Sequence, residues 1–388
     1  MNRITTVGVL AMGTAAGLLL SLYGPAMPEL QSRYGIGEGA SALVLSAHFL
    51  GAMTGIAWWG LERRLASRTW LTTGTGLVAA GAAAIAFAPA WPVVLAGAFG
   101  LGVGFGAIVV EINVLLAEGF GDRAAAMLNL LGATFGAGAV AGPLILAATG
   151  GYQVPFCAGA LLAAGALALA RDLPRAAPPA DVVRPPTSPA LVAGFVAVVA
   201  LYVGTESGIG GFEASSLLAG GAGAAAAASW TAAYWAALTT GRLLAIPLAL
   251  RVAPATLAAG SLLAGACGLA LAHVPGFAAA AYTLTGLVLG PVFPTVLAWL
   301  AVVAPGSRTS TAMVFAAGQL GGIFLPVVIG RLVDARSPAV IPSAVLGVAL
   351  CCLGAVLLLR RPAGRALARA ASEPVSPSGG PGPSPGRR

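Results

Sequence analysis

The chain has 388 residues, of which 58% are hydrophobic and 8% are charged, and it contains 55 glycines. These proportions exclude an ordinary soluble domain and are typical of an integral membrane protein. The net charge of +8 does not indicate a nucleic-acid partner, because the arginines stand mostly singly between apolar segments and the chain has no lysine. The four cysteines have no metal-ligand spacing, so neither a metal site nor a disulfide framework is predicted.

Twelve apolar segments are long enough to cross a bilayer, since a hydrocarbon core of about 30 Å requires about 20 apolar residues per helix. The first segment has no small-residue cleavage site and is followed by eleven others, so we expect a retained helix and not a signal peptide. The predicted spans, numbered 1 to 12, are 4–28, 40–61, 70–90, 91–117, 125–149, 151–170, 189–219, 224–250, 254–274, 276–303, 308–333 and 338–359.

The arginines predict the orientation of these spans. With a cytoplasmic N-terminus, the outer connections hold only Arg33, Arg331 and Arg336. Positively charged connections are retained in the cytoplasm, so we expect both termini there, in a multi-pass monomer of a bacterial plasma (inner) membrane. The cytoplasmic set comprises Arg3, Arg63, Arg64, Arg68, Arg123, Arg171, Arg175, Arg184, Arg251, Arg308, Arg360, Arg361, Arg365 and Arg369.

The longest polar interruption divides the spans six and six. Segment 171–188, RDLPRAAPPADVVRPPTS, predicts a cytoplasmic linker between a bundle at 1–170 and a bundle at 189–360. An internal repeat supports this division, because Gly138–Pro143 (GAVAGP) returns 183 residues later as Gly321–Pro326 (GGIFLP). We therefore predict an all-α integral membrane protein of two six-helix bundles around a central cavity, with the ligand bound near the midplane.

Proline marks two further interruptions of the apolar pattern. Pro291 and Pro294 are predicted to kink or break span 10 beside the cavity. Segment 361–388, which ends in SEPVSPSGGPGPSPGRR, is predicted to be a disordered cytoplasmic tail.

Span 7 contains two glutamates, and a charge inside a span is costly unless it faces a cavity or a partner. Glu206 and Glu213 are seven residues apart, which at about 100° per residue places them on one helical face with Tyr202, a candidate for substrate binding. Glu206 is expected to lie deeper and Glu213 nearer the outer mouth, where simple solvation is an equal alternative to a function. A buried carboxyl group can bind and release protons near neutral pH, so both are candidates for proton coupling.

Two more charges lie within predicted spans. Glu111 in span 4 is a third candidate for proton coupling, but it could instead form a structural ion pair with Arg242 or Arg123. Arg242 in span 8 shares a helical face with Trp235, and together they could bind a sugar by hydrogen bonding and ring stacking. A structural ion pair is the alternative interpretation of Arg242.

Seven segments carry a resemblance to a known family. In order and spacing they resemble the Major Facilitator Superfamily, and within it the branch of fucose, galactose and glucose proton symporters. The segments are LYGPAMPELQSRYGI, GFGAIVVEINVLLA, LNLLGATFGAGAVAGPL, YVGTESGIGGFE, TTGRLL, GPVFPTVLA and QLGGIFLPVVIG.

The YVGTE context of Glu206 matches this family, which supports Glu206 as the leading candidate for proton coupling. Asn113 matches a family position in span 4 and is a candidate for substrate binding. Gln319 is added as a substrate-binding candidate because an amide suits hydroxyl-rich ligands. Hydrogen bonding between helices is the alternative interpretation of Asn113 and Gln319. The usual signature after span 2 has become GLERRLASR, in which Glu62 and Arg63 can still supply a gating charge pair. Span 4 departs from the sugar symporters, since their acid four residues before the asparagine is replaced by Val109.

The sequence therefore predicts a secondary active transporter that carries a small polar solute, a sugar, by proton-coupled alternating access. A proton-coupled efflux carrier for drugs or apolar metabolites is the alternative, because the fold does not set the substrate. The expected partners are a small-molecule substrate, protons and the bilayer. No nucleotide-binding loop or nucleophile arrangement occurs, so no enzyme activity and no cofactor are predicted.

Overall fold

The computed structural model describes residues 2–62, 65–170, 188–303 and 308–372, and within these ranges its regular elements are helical. We number the α-helices in chain order. They are α1 (Arg3–Ser21), α2 (Tyr23–Tyr34), α3 (Glu38–Ser41), α4 (Leu43–Leu61), α5 (Ser67–Ala86), α6 (Trp91–Gly119), α7 (Ala124–Thr149), α8 (Gln153–Leu169), α9 (Pro189–Ala219), α10 (Ala224–Ala249), α11 (Pro254–Leu271), α12 (Ala278–Leu289), α13 (Val292–Val303), α14 (Arg308–Ala335) and α15 (Ile341–Ser372).

The described helices supply twelve membrane crossings, as predicted. Ten helical segments are long and apolar enough to span a bilayer by length and composition. The other two crossings are α8, an apolar helix of 17 residues, and α10, a helix of 26 residues. The predicted linker lies outside the described residues except for Ser188.

The prediction of one continuous span 1 over 4–28 is wrong. The helix is interrupted at Leu22, and α2 then carries the chain on to Tyr34. Pro25 explains the interruption, because proline has no N–H to donate to the carbonyl of Ser21 one turn earlier.

The predicted break in span 10 is confirmed, and the predicted start of the disordered tail is wrong. Residues Gly290 and Pro291 separate α12 from α13. By contrast, α15 continues beyond residue 360 to Ser372. Its continuation, RRPAGRALARA, consists mostly of strong helix formers, which outweigh a single proline. The remainder of the predicted tail, 373–388, lies outside the described residues.

Each half of the chain has its own apolar core. One core is built almost wholly from residues between Val9 and Ala170, and the other mainly from residues between Leu191 and Ala363. In the first half α6 packs between α4 and α5, and α7 packs along α1. In the second half α9 packs against both α14 and α15.

The internal repeat corresponds to equivalent helix crossings. A Cβ atom at Gly138 would collide with the backbone carbonyl of Thr14, where α7 crosses α1. A Cβ atom at Gly321 would collide with the backbone carbonyl of Ala200, where α14 crosses α9. The two repeated glycines therefore permit backbone-to-backbone contact at matching places in the two halves.

The two halves meet along several helix pairs, including the following three. At the crossing of α2 and α9, Gly24 lies so close to the backbone of Gly210 that there is no room for a side chain at position 24. Gly322 of α14 lies against the ring of Phe49 in α4. The third pair is α7 with α10. Small residues at these seams allow the halves to approach closely.

A carboxylate joins the halves at the end of the molecule where α2 and α14 finish. Asp334 of α14 accepts hydrogen bonds from the backbone N–H groups of Glu38 and Gly39, both at 2.9 Å. A Cβ at Gly37 or Gly39 would lie 2.7 or 2.6 Å from a carboxylate oxygen of Asp334. Glycine on both sides of Glu38 is thus what allows this interaction, which we call the Asp334 contact.

Candidate functional site

A loose ion pair occupies the interior of the second half. Glu206 lies near the midpoint of α9, and Arg242 reaches it from α10. Nη2 of Arg242 donates to Oε2 of Glu206 at 3.3 Å and to Oε1 at 3.4 Å. Tight charge-assisted bonds measure about 2.8 Å, so this pair is not closely engaged. The side chains are 20% exposed for Glu206 and 30% exposed for Arg242, which leaves the pair open to a small molecule.

Two tyrosines surround the ion pair. Tyr202 lies one turn before Glu206 and donates its hydroxyl to the carbonyl of Leu289, at 3.2 Å, where α12 ends. Tyr234 of α10 donates to the backbone carbonyl of Glu206 at 3.4 Å. Both rings are buried. The pair is therefore held between α9, α10 and the break that follows α12.

Two donors beside this pair have no acceptor. Nε of Arg242 and Nε1 of Trp235 are buried without a hydrogen-bond partner. The indole of Trp235 is 5% exposed, packs against Gly210 and meets the ring of Tyr234 edge-on with centroids 5.3 Å apart. The predicted stacking surface is thus covered in this conformation. Gln319 is half-buried in α14.

The interpretation of Glu213 as a solvated mouth residue is wrong. Its side chain is fully buried, and both carboxylate oxygens lack a hydrogen-bond partner. It lies about 10 Å further along α9 than Glu206, at 1.5 Å per residue. Burial of a carboxyl group without a hydrogen-bond partner is costly.

Glu111 does not form either predicted ion pair. Its Oε2 accepts a hydrogen bond of 2.7 Å from Nε1 of Trp59, whereas Arg242 is engaged with Glu206. The carboxylate is 3% exposed and links α6 to α4 within the first half. Asn113 is exposed and donates to the carbonyl of Val109 in its own helix at 2.8 Å. The structure therefore does not bring Glu111 and Asn113 into the Glu206 site.

The remaining predicted site residues are only partly described. Glu62 is exposed at the end of α4, while Arg63 lies outside the described residues. The proposed gating pair therefore rests on the sequence.

Over the described ranges, no three metal-ligating side chains come together. His48 of α4 is fully buried against Tyr23, with His48 Nδ1 and the Tyr23 hydroxyl 3.2 Å apart, so it is a packed, hydrogen-bonded histidine.

One feature of the site and one contact between the halves could not be predicted from the sequence. The role of Tyr234 depends on its distance from the Glu206 backbone, which no local pattern records. Asp334 stands at a helix end, where an acidic residue is unremarkable. The paired glycines of Gly37–Glu38–Gly39 are the signal that could have indicated a close contact there.

Comparisons with known proteins identify the family of the chain. Residues 9–228, more than half of the chain, match the family model of the Major Facilitator Superfamily. No curated protein matches the chain in sequence.

Several solved transporters share the fold. A D-xylose–proton symporter superposes with a TM-score of 0.75 at 14% identity, covering 92% of this chain and 96% of that one. The nucleoside transporter NupG superposes with a TM-score of 0.74 at 14% identity, and the match covers 92% of this chain and 100% of NupG. The E. coli fucose:proton symporter FucP superposes with a TM-score of 0.64 at 19% identity, and the match covers 93% of this chain and 98% of FucP. Identities this low concern the fold alone, whereas the match over residues 9–228 establishes that the chain belongs to the Major Facilitator Superfamily of membrane transporters.

Proposed function

We propose that the protein is a proton-coupled secondary transporter of a small polar solute of the sugar class. The observation that carries this proposal is the Glu206–Arg242 pair, a partly exposed carboxylate and guanidinium in the interior of a membrane-spanning half. Charged residues at such depth mark ion and substrate paths, because they are costly unless they serve one. The fold shared with D-xylose and fucose proton symporters agrees with this proposal.

The loose geometry of the pair suits proton coupling. Only Nη2 of Arg242 engages Glu206, and both contacts exceed 3.2 Å. Arginine keeps its proton under all physiological conditions, so proton coupling at this pair would depend on the carboxylate of Glu206. Protonation of Glu206 would release Arg242 from the ion pair. A solute that binds one conformation of the transporter more tightly than the other would then shift the equilibrium between them.

The unused donors favour a ligand rich in acceptor oxygens. Nε of Arg242 and Nε1 of Trp235 are buried without acceptors, a condition that folded proteins avoid unless a ligand or water supplies the partner. Sugar hydroxyls can accept from both donors and also donate to Glu206. An apolar solute would leave these donors unsatisfied, which disfavours the efflux alternative.

We infer that the described conformation is closed to the outside. With a cytoplasmic N-terminus, both the Asp334 contact and the crossing of Gly24 with Gly210 lie toward the outer face. These contacts join the two halves. Solute release would then occur toward the cytoplasm, and return to the outward-open state would require both contacts to break.

The direct test is uptake into proteoliposomes. Purified protein is assayed with a panel of labelled monosaccharides, with and without an inward proton gradient. We expect at least one sugar to accumulate, and a protonophore to abolish the accumulation. Sugar uptake that ignores the gradient would contradict the coupling. Gradient-driven dye extrusion without sugar uptake would instead favour the efflux function.

The Asp334 contact gives a second prediction. Asp334→Ala removes two hydrogen bonds to a charged acceptor between the halves, and each such bond contributes about 1.5–3 kcal/mol before discounting for exposure. We expect the outer-open population to rise by about tenfold, which corresponds to about 1.4 kcal/mol. The measurement is the distance distribution between spin labels at Ser32 and Ser337 in a cysteine-free background.

Glu29 supplies a matched control for this prediction. Its carboxylate accepts a 2.9 Å bond from the backbone N–H of Tyr152, near the same end of the molecule but within the first half. Glu29→Ala should therefore leave the label distances unchanged. If both variants shift the distances equally, the Asp334 contact has no special part in closure.

A further inference from the structure

The last helix is longer than a bilayer requires. α15 has 32 residues, which corresponds to about 48 Å at 1.5 Å per residue. A hydrocarbon core measures about 30 Å. Tilting accommodates only part of the difference. The final turns of α15 therefore extend through the headgroup region, where the sequence places a group of arginines.

This part of α15 has two distinct faces. One face packs inward, with Val356, Leu359 and Ala363 buried in the core of the second half. On the other face Leu357 is 50% exposed and Leu358 is 79% exposed. Steps of three, four and seven residues align these leucines with the arginines at 361 and 365, which follow along the same face.

The arginines on this surface are exposed, and no ion pair engages them within the described ranges. Arg360, Arg361 and Arg365 are exposed, and α15 contains no acidic residue. Within the described part of the chain, no carboxylate lies within ion-pair distance of them. We call Leu357, Leu358 and these three arginines the α15 surface.

The two longest segments outside the described residues are not suited by their net charge to neutralise this surface. The sequence of 171–188 contains three arginines and two aspartates, and that of 373–388 contains two arginines and one glutamate. Both segments therefore carry a net positive charge, as the surface does. An external anion complements it better than either segment.

We propose that the α15 surface binds the headgroup of an anionic phospholipid, whose acyl chain lies along Leu357 and Leu358. Arginine forks match the geometry of phosphate oxygens, and basic clusters at the end of a membrane helix attract anionic lipids. Pro362 cannot donate to the carbonyl of Leu358, so a headgroup hydroxyl would satisfy that acceptor. Phosphatidylglycerol provides both groups and is the lipid to test.

The experiment compares full-length variants by lipid retention and thermal stability. The triple variant Arg360→Gln/Arg361→Gln/Arg365→Gln should retain phosphatidylglycerol in native mass spectrometry about tenfold less than the unmodified chain. Stabilisation by phosphatidylglycerol relative to phosphatidylcholine should disappear, while stability in phosphatidylcholine alone should be unchanged. The corresponding triple lysine variant, which keeps the charge needed for insertion, should lose retention only several-fold.

The control variant removes the same charge elsewhere. Arg68→Gln/Arg123→Gln/Arg251→Gln affects three exposed arginines on separate connections of the same predicted side. It should retain phosphatidylglycerol normally. If both triple glutamine variants lose phosphatidylglycerol retention equally, the retention depends only on the total surface charge, and the proposal is overturned. Stabilisation by inorganic phosphate alone would also overturn it, because a simple anion site needs no acyl chain.

Discussion

Glu206→Gln is expected to insert normally but to lose all accumulation of solute against a gradient. With one proton per solute, a difference of one pH unit supports about tenfold accumulation, because a tenfold ratio corresponds to about 1.4 kcal/mol. Glutamine keeps hydrogen-bonding groups for the solute but cannot bind a proton. The accumulation ratio should therefore fall to about one, while exchange of labelled for unlabelled solute continues. Proteoliposome uptake and counterflow measure the two quantities.

Glu111→Gln is the matched control for this experiment. Glu111 is also a glutamate inside the membrane, but its Oε2 accepts a hydrogen bond from Trp59 within the first half. An amide oxygen can accept the same bond, so accumulation should continue. If Glu111→Gln abolishes accumulation and Glu206→Gln does not, the coupling site lies in α6 and our assignment is wrong.

Gly24→Val is expected to prevent closure of the outer side. A Cβ atom at Gly24 would collide with the backbone carbonyl of Gly210, and backbone atoms cannot move aside as a flexible side chain can. Overpacking typically costs about 1–3 kcal/mol, and the upper end corresponds to about 100-fold in the population of the closed state. Sugar uptake should fall to a similar extent, and the labels at Ser32 and Ser337 should move apart.

Gly100→Val tests whether the position, and not the added bulk, is responsible. Gly100 lies in α6, and a Cβ placed there meets no atom within 4 Å. Both substitutions introduce the same β-branched residue into a helix and carry the same propensity cost. Uptake by Gly100→Val should remain near normal. Equal loss in the two variants would indicate a general failure of helix packing.

The number of spans could be predicted from the sequence, but their exact lengths could not. Apolar segments and the proline-rich linker identify twelve crossings, and Pro291 correctly locates a break. Hydropathy does not reveal where a helix ends once it leaves the apolar region. RRPAGRALARA therefore continues α15 to Ser372 although its polarity suggested a tail. The interruption at Leu22 depends on the hydrogen bonds lost around Pro25.

Single residues of the site could be predicted better than their partners. Glu206 and Arg242 are both evident as charges within apolar spans, but their pairing depends on how α9 and α10 are rotated toward each other. The sequence offered Glu111 as a partner for Arg242, yet Glu111 bonds to Trp59. Glu213 was misplaced for a related reason, since only the packing of neighbouring helices decides whether the end of a span is solvated.

The Glu206–Arg242 pair also has a consequence for the membrane voltage. With the carboxylate ionised, the two charges cancel, so the empty carrier would move no net charge at this site when it resets. With Glu206 protonated, the positive charge of Arg242 is no longer cancelled. Moving one elementary charge across a membrane potential of 100 mV changes its free energy by about 2.3 kcal/mol. The interior-negative potential of a living cell would then accelerate the loaded inward step and leave the return step unaffected.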